Sequence, residues 1–143
     1  MQAKYVHTNL IAKDWRKLAQ FYTDVFGCVF VPPERDYQGD TMDAGTGLKG
    51  VHLTGVHLRL PGHGDNGPTI EIFNYNHLET RPKTAVNRPG FAHIAFEVDD
   101  LDAALVGHAL LSGVSSPSEG VRVAMILDNG VPVELLEFRK TFV

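Results

Sequence analysis

The chain has 143 residues and 15.7 kDa, with 43% hydrophobic and 21% charged residues, which suits one compact soluble domain or two very small modules sharing a core. A formal net charge of -4 and a pI near 5.9 leave no basic stripe to neutralise phosphates, which excludes a nucleic-acid partner. Cys28 is the only cysteine, so an intramolecular disulfide and a thiolate metal cluster are both excluded.

The N-terminal "MQAKYVHTN" lacks the apolar core of a signal peptide, and no apolar run approaches membrane-spanning length. No membrane partner and a cytoplasmic location are therefore expected. "KYVHTNLIA" reads as a strand with His7 in its middle. Side chains alternate along a strand, so Val6, Thr8 and Leu10 share the face turned to a helix, while His7 faces away with Tyr5, Asn9 and Ile11. Asp14 then offers an N-cap, and Trp15, Leu18, Tyr22, Val25 and Phe26 recur at helical spacing up to the stop at Gly27. Next to Val29, Phe30 and Val31, Cys28 reads as a small buried hydrophobe.

The stretch 32–50, rich in Gly and Asp, reads as a loop; strands are expected over 51–60 and 69–75 with a turn between them at 61–68. In "VHLTGVHLRL", His52 and His57 are an odd number of residues apart, so at most one of them shares the His7 face unless Gly55 marks a bulge. His63 and His77 fall in turn-like, solvent-exposed segments. "GPTIEIFNY" carries Glu71 on one face with Phe73 and Tyr75. Residues 79–89, with Pro82 and Pro89, read as a linker.

The second part repeats the first. "GFAHIAFEV" sets His93 in a strand over 91–98, on a face with Phe91, Ala95 and Glu97, while Ala92, Ile94, Phe96 and Val98 turn to a helix. Asp100 caps that helix, and Leu101, Ala104, Leu105, His108 and Leu111 line it up to Gly113, which makes His108 a packed residue. One offset of 86 joins His7 to His93, Asp14 to Asp100 and Gly27 to Gly113 (93 − 7, 100 − 14, 113 − 27). That recurrence of strand, cap and stop is the mark of an internal duplication. "GVPVELLEF" closes the second part with Glu134 on a face with Leu136 and Phe138, and leaves Glu137 on the opposite, solvated face.

Each part thus reads as strand, helix and about three more strands, with modules at 3–78 and 90–140: an α+β chain of two βαβββ modules. Glu71 between Ile70 and Ile72, and Glu134 between Val133 and Leu135, are carboxylates in apolar strands. Burying two His and two Glu without compensation costs several kcal/mol. If the modules face each other as a pseudo-twofold pair, the four groups converge in a cup, where one divalent metal compensates them together. Imidazole and carboxylate suit Ni, Co, Zn, Mn, Fe or Mg.

"YVHTNLIAKDWRKLAQFYTDVFG", "FAHIAFEVDDLDAAL", "TIEIFNY" and "PVELLEF" together resemble the vicinal oxygen chelate superfamily, which includes glyoxalase I, extradiol dioxygenases and the bleomycin- and fosfomycin-resistance proteins. The resemblance covers nearly the whole chain. It implies a curved mixed sheet around a metal site, with His7, Glu71, His93 and Glu134 as ligands. The His/Glu/His/Glu set is most similar to glyoxalase I. A metal-dependent lyase or isomerase is therefore expected, which chelates vicinal oxygens of a small substrate and stabilises an enediolate. Glu134 or Glu71 would be the base, and Asn9, Ile11, Phe73, Tyr75 and Leu136 the pocket. The alternatives are an Fe(II) extradiol dioxygenase and a non-catalytic small-molecule binding or resistance protein. Relatives often dimerise, so a homodimer is expected. Glyoxalase I tends to place Arg where this chain has Ile11, and Asn where it has Tyr75.

Overall fold

Asp14 ends the first strand by starting the first helix: its carboxylate accepts a hydrogen bond from Lys17 N at 3.1 Å. In the computed structural model, which describes residues 1–85, 87–128 and 130–139, the chain divides into two compact units, Met1–Thr80 and Arg81–Val143. The boundary falls within the linker expected at 79–89. Among the described residues, no helix is long and apolar enough to cross a membrane.

The first unit contains β1 (His7–Ile11), α1 (Trp15–Phe26), β2 (Val29–Gln38), α2 (Asp40–Thr46), β3 (His52–Arg59) and β4 (Thr69–Tyr75). Its sheet runs β1-β4-β3-β2, with β1 parallel to β4 and the other pairs antiparallel. α1 stops where Gly27 adopts φ 71, and the Gly27 N–H bonds back to Thr23 O. Its buried side, Trp15, Leu18 and Tyr22, is the side the spacing predicts, and α1 lies on β3 and β4. Val56 and Leu58 of β3 and Ile70 and Ile72 of β4 are buried, and Trp15 Nε1 donates to Thr54 Oγ1 at 3.2 Å. The expected loop at 32–50 is instead the rest of β2 followed by α2. Gly39 and Gly47 bound that helix, and its Asp43 carboxylate takes the N–H groups of Gly50 and Val51 at 2.9 and 3.0 Å. The acidic residues that suggested an open loop therefore organise its exit.

The second unit contains β5 (Ile94–Glu97), α3 (Leu101–Leu105), β6 (Leu110–Ser118), β7 (Val121–Asp128) and β8 (Val131–Phe138). The strand order β5-β8-β7-β6 repeats that of the first unit, with β5 parallel to β8. The α+β class and the paired βαβββ modules are thus present, each module with its own four-stranded mixed sheet. Asp100 caps α3 as expected, accepting from Ala103 N at 3.0 Å. The helix, however, ends at Leu105, not near Leu111: Gly107 takes φ 80, and Leu110 onward joins β7 as an edge strand that contains Gly113 and Pro117. His108 accordingly lies half-buried in the turn before β6 and not on a helix. β5 is also shorter than the expected 91–98, so His93 stands just before it. Lys140, the last residue of the expected second module, lies outside the described residues.

Candidate functional site

Parallel pairing of an edge strand with the Glu-bearing strand builds the same arrangement in each unit. Asn9 is the register partner of Glu71, and Ala95 that of Glu134. In both cases the histidine lies two residues before that partner (9 − 7 and 95 − 93). His7 Nε2 is 3.4 Å from Glu71 Oε1, and His93 Nε2 is 3.6 Å from Glu134 Oε2. β1 alternates as expected, with His7, Asn9 and Ile11 exposed and Thr8 and Leu10 half-buried beneath them.

In the first unit Glu71 has further company. Asn9 Nδ2 donates to its Oε1 at 3.2 Å, and His57 Nε2 lies 3.2 Å from its Oε2. His57 is the antiparallel register partner of Glu71 across β3–β4. On its other nitrogen it meets Arg35: Nη2 lies 3.3 Å from His57 Nδ1. Burial lowers the His57 pKa; Glu71 works against that, while Arg35 and His7 add to it. Arg35 reaches this position because β2 bulges between Val31 and Arg35, and its Nη1 donates to Val31 O at 3.2 Å and to Pro33 O. His52 turns the other way, to Asp36 Oδ1 at 2.7 Å. Only His57 of that pair is on the Glu71 face, as the odd spacing requires; the β3–β4 register passes Gly55 without a shift.

The expected pocket residues divide. Ile11 is exposed, and Leu136 is half-buried on β8. Phe73, by contrast, is buried in a cluster with Val51 and Leu53, against which Met42 of α2 and Tyr75 pack. Its ring stands edge-on to His57, with centroids 5.8 Å apart. It fills the floor of this face and is not an open wall. Sequence reading left His57 as one of two possibilities; counting back from the turn at 61–68, where Leu60 N bonds Pro68 O, would have set it opposite Glu71.

Glu137 departs from expectation. It does face away from Glu134, yet it is not solvated: its side chain is 12% exposed, accepts from Leu101 N at 2.7 Å and pairs with Arg122 and Arg139. The backbone N–H of Leu101 is the first cause of its lowered pKa, with the two arginines adding and burial opposing. An anion at the start of α3 was not visible from parity alone.

Among the described residues, no group of three or more His, Cys, Asp or Glu is arranged to hold a metal ion. Each unit offers one His–Glu pair at matching positions, His7 with Glu71 and His93 with Glu134. Ligands about 2.1 Å from one ion stand roughly 3.0–3.4 Å apart across cis to tetrahedral angles; the His7–Glu71 separation of 3.4 Å meets that spacing, and His93–Glu134, at 3.6 Å, lies just beyond it.

Two βαβββ modules, each with a four-stranded mixed sheet of the same strand order, place the chain among small duplicated mixed-sheet proteins. A family model described as the Glyoxalase/Bleomycin resistance protein/Dioxygenase superfamily matches residues 4–106, well over half of the chain, and the chain belongs to that superfamily. The matched span includes His7, Glu71 and His93 and stops before Glu134. Solved structures share the fold. A glyoxalase family protein from Bacillus cereus is 19% identical, with 98% of this chain and 97% of that one covered and a TM-score of 0.84. A glyoxalase family protein from Enterococcus faecalis is 20% identical, with 95% and 97% covered and a TM-score of 0.61. The fosfomycin resistance protein FosX from Listeria monocytogenes, solved with Mn(II) and sulfate, is 17% identical, with 99% and 96% covered and a TM-score of 0.56. No curated protein matches the chain.

Proposed function

We propose that the chain is a divalent-metal-dependent lyase or isomerase of the glyoxalase type, with His7, Glu71, His93 and Glu134 as the ligands of one ion. The observation that carries this reading is the repeated His–Glu pair, at 3.4 and 3.6 Å, set at the same register in two modules. FosX holds Mn(II) on the same fold, which supports a divalent ion here; the donor set accepts Ni, Co, Zn, Mn or Fe. Such an ion, when bound, supplies Lewis acidity toward two neighbouring substrate oxygens and lowers the cost of negative charge there.

The protein's own groups do the rest. His7, His93, Glu71 and Glu134 would hold the ion and so set where the reacting oxygens lie. Glu134 and Glu71 are the two candidates for the base that moves a proton between adjacent carbons. Glu134 suits the role better: its register neighbours Ala95 and Met125 offer no side-chain donor to hold it. Asn9, Ile11, Tyr75 and Leu136 bound the substrate, and Phe73 closes the floor against water.

Ile11 and Tyr75 replace the residues that glyoxalase I tends to use for glutathione. A missing charge-assisted contact to a carboxylate is worth about 1.5–3 kcal/mol, or roughly 10- to 150-fold in affinity. Weak or absent turnover of the methylglyoxal–glutathione hemithioacetal is therefore expected with nickel, cobalt or zinc, read as thioester absorbance. Efficient turnover at a low KM would make the chain a glyoxalase I in full. Oxygen-dependent cleavage of a catechol with ferrous iron would favour an extradiol dioxygenase instead. The likeness in fold to a fosfomycin resistance protein supports a second reading, a binding or resistance protein. Metal-free protein that binds an apolar drug without turnover would establish that reading.

A further inference from the structure

We infer that His57, set by Arg35, is a positioning residue that clamps Glu71, and that the two half-sites are consequently unequal. This rests on reading Glu71 as a ligand. Arginine has donors and no acceptor, so the contact of Arg35 Nη2 with His57 Nδ1 at 3.3 Å requires a bare lone pair on Nδ1. The ring proton then sits on Nε2, 3.2 Å from Glu71 Oε2. Asn9 Nδ2 donates to the other oxygen, Oε1, at 3.2 Å. Oε1 is thus bonded by Asn9 on β1, and Oε2 faces the Nε2 proton of His57 on β3. The oxygen nearest His7 is Oε1, so the contact at Oε2 aims Oε1 at the His7 side.

The second unit has no such clamp at the matching positions. Ala95 stands where Asn9 does, and Met125 where His57 does. The backbone is duplicated but the restraint is not. An outer group that orients a metal-binding carboxylate commonly changes metal affinity about 10- to 100-fold when removed. His57 is not itself a donor to the ion in this arrangement, because its Nε2 lone pair is replaced by the ring proton.

Two readouts test the clamp. Long-range proton–nitrogen correlation on histidine-labelled, metal-free protein at neutral pH, with His57 assigned by its loss in His57→Leu, should find the proton on Nε2 and none on Nδ1. A proton on Nδ1 overturns the inference, whether or not the protein binds metal. In cobalt titrations, His57→Leu should weaken binding by about 10- to 100-fold, while His57→Gln, which can place an N–H near the Nε2 position, should recover most of it. Equal loss in both variants, with unchanged thermal melts, or no loss in His57→Leu, would overturn it as well. If the wild type binds no cobalt, the ligand reading fails and the nitrogen spectrum still decides the clamp.

Discussion

Glu134 and Glu137 lie three residues apart on β8 and meet opposite surroundings. The first faces His93; the second is sealed under the start of α3, between a backbone N–H and two guanidinium groups. Because its folded pKa is depressed, the stability Glu137 contributes is present above the ordinary carboxylate range and lost as pH falls through the folded value. Glu137→Gln should therefore melt below the wild type at neutral pH, and the gap should close as the pH drops into the acid range. A gap that widens in acid would contradict this. Metal binding should be unaffected by that variant. Cys28 is 1% exposed, and burial pushes its thiol up to about 11. It should resist maleimide in the native protein and react on unfolding; rapid native labelling would show the site to be open.

At the scale of elements, local signals were legible where one residue decides the backbone. Asp14 and Gly27 bound α1 as read, because a side-chain cap and a positive-φ glycine act locally. The same logic misplaced the end of α3: Gly113 matches Gly27 in offset, but Gly107 breaks the helix first and Leu110 pairs with Ile126. Apolar residues there satisfy a strand as readily as a helix, and only the pairing with β7 decides. Parity set His7 and Glu71 on their strand faces and allowed at most one of His52 and His57 beside them, whereas the bulge that brings in Arg35 is not encoded in alternation. Gly55, opposite Phe73 on β3, is a further consequence of pairing. A Cβ there would lie 2.0 Å from Ile72 O and 2.4 Å from the Phe73 ring. Gly55→Ala should cost roughly 1–3 kcal/mol or more, seen in denaturant unfolding. An unchanged midpoint would mean that β3 and β4 yield more easily than their register suggests.

For the whole molecule, the sequence repeat foretold two modules of one topology, and both sheets have it. The modules can pair within a chain or between two chains, and the proposed four-residue site depends on one of these pairings. We expect a homodimer, and a monomer mass by light scattering across micromolar concentrations would count against it. The proposed metal site consists of His7, Glu71, His93 and Glu134. Metal analysis of the purified protein, followed by equilibrium titration of the wild type and of His7→Ala, Glu71→Ala, His93→Ala and Glu134→Ala, tests it most directly. One divalent ion per chain, with binding lost or severely weakened in all four variants, is the predicted result. A metal-free wild type, or binding that survives in both single variants of one module, would contradict it.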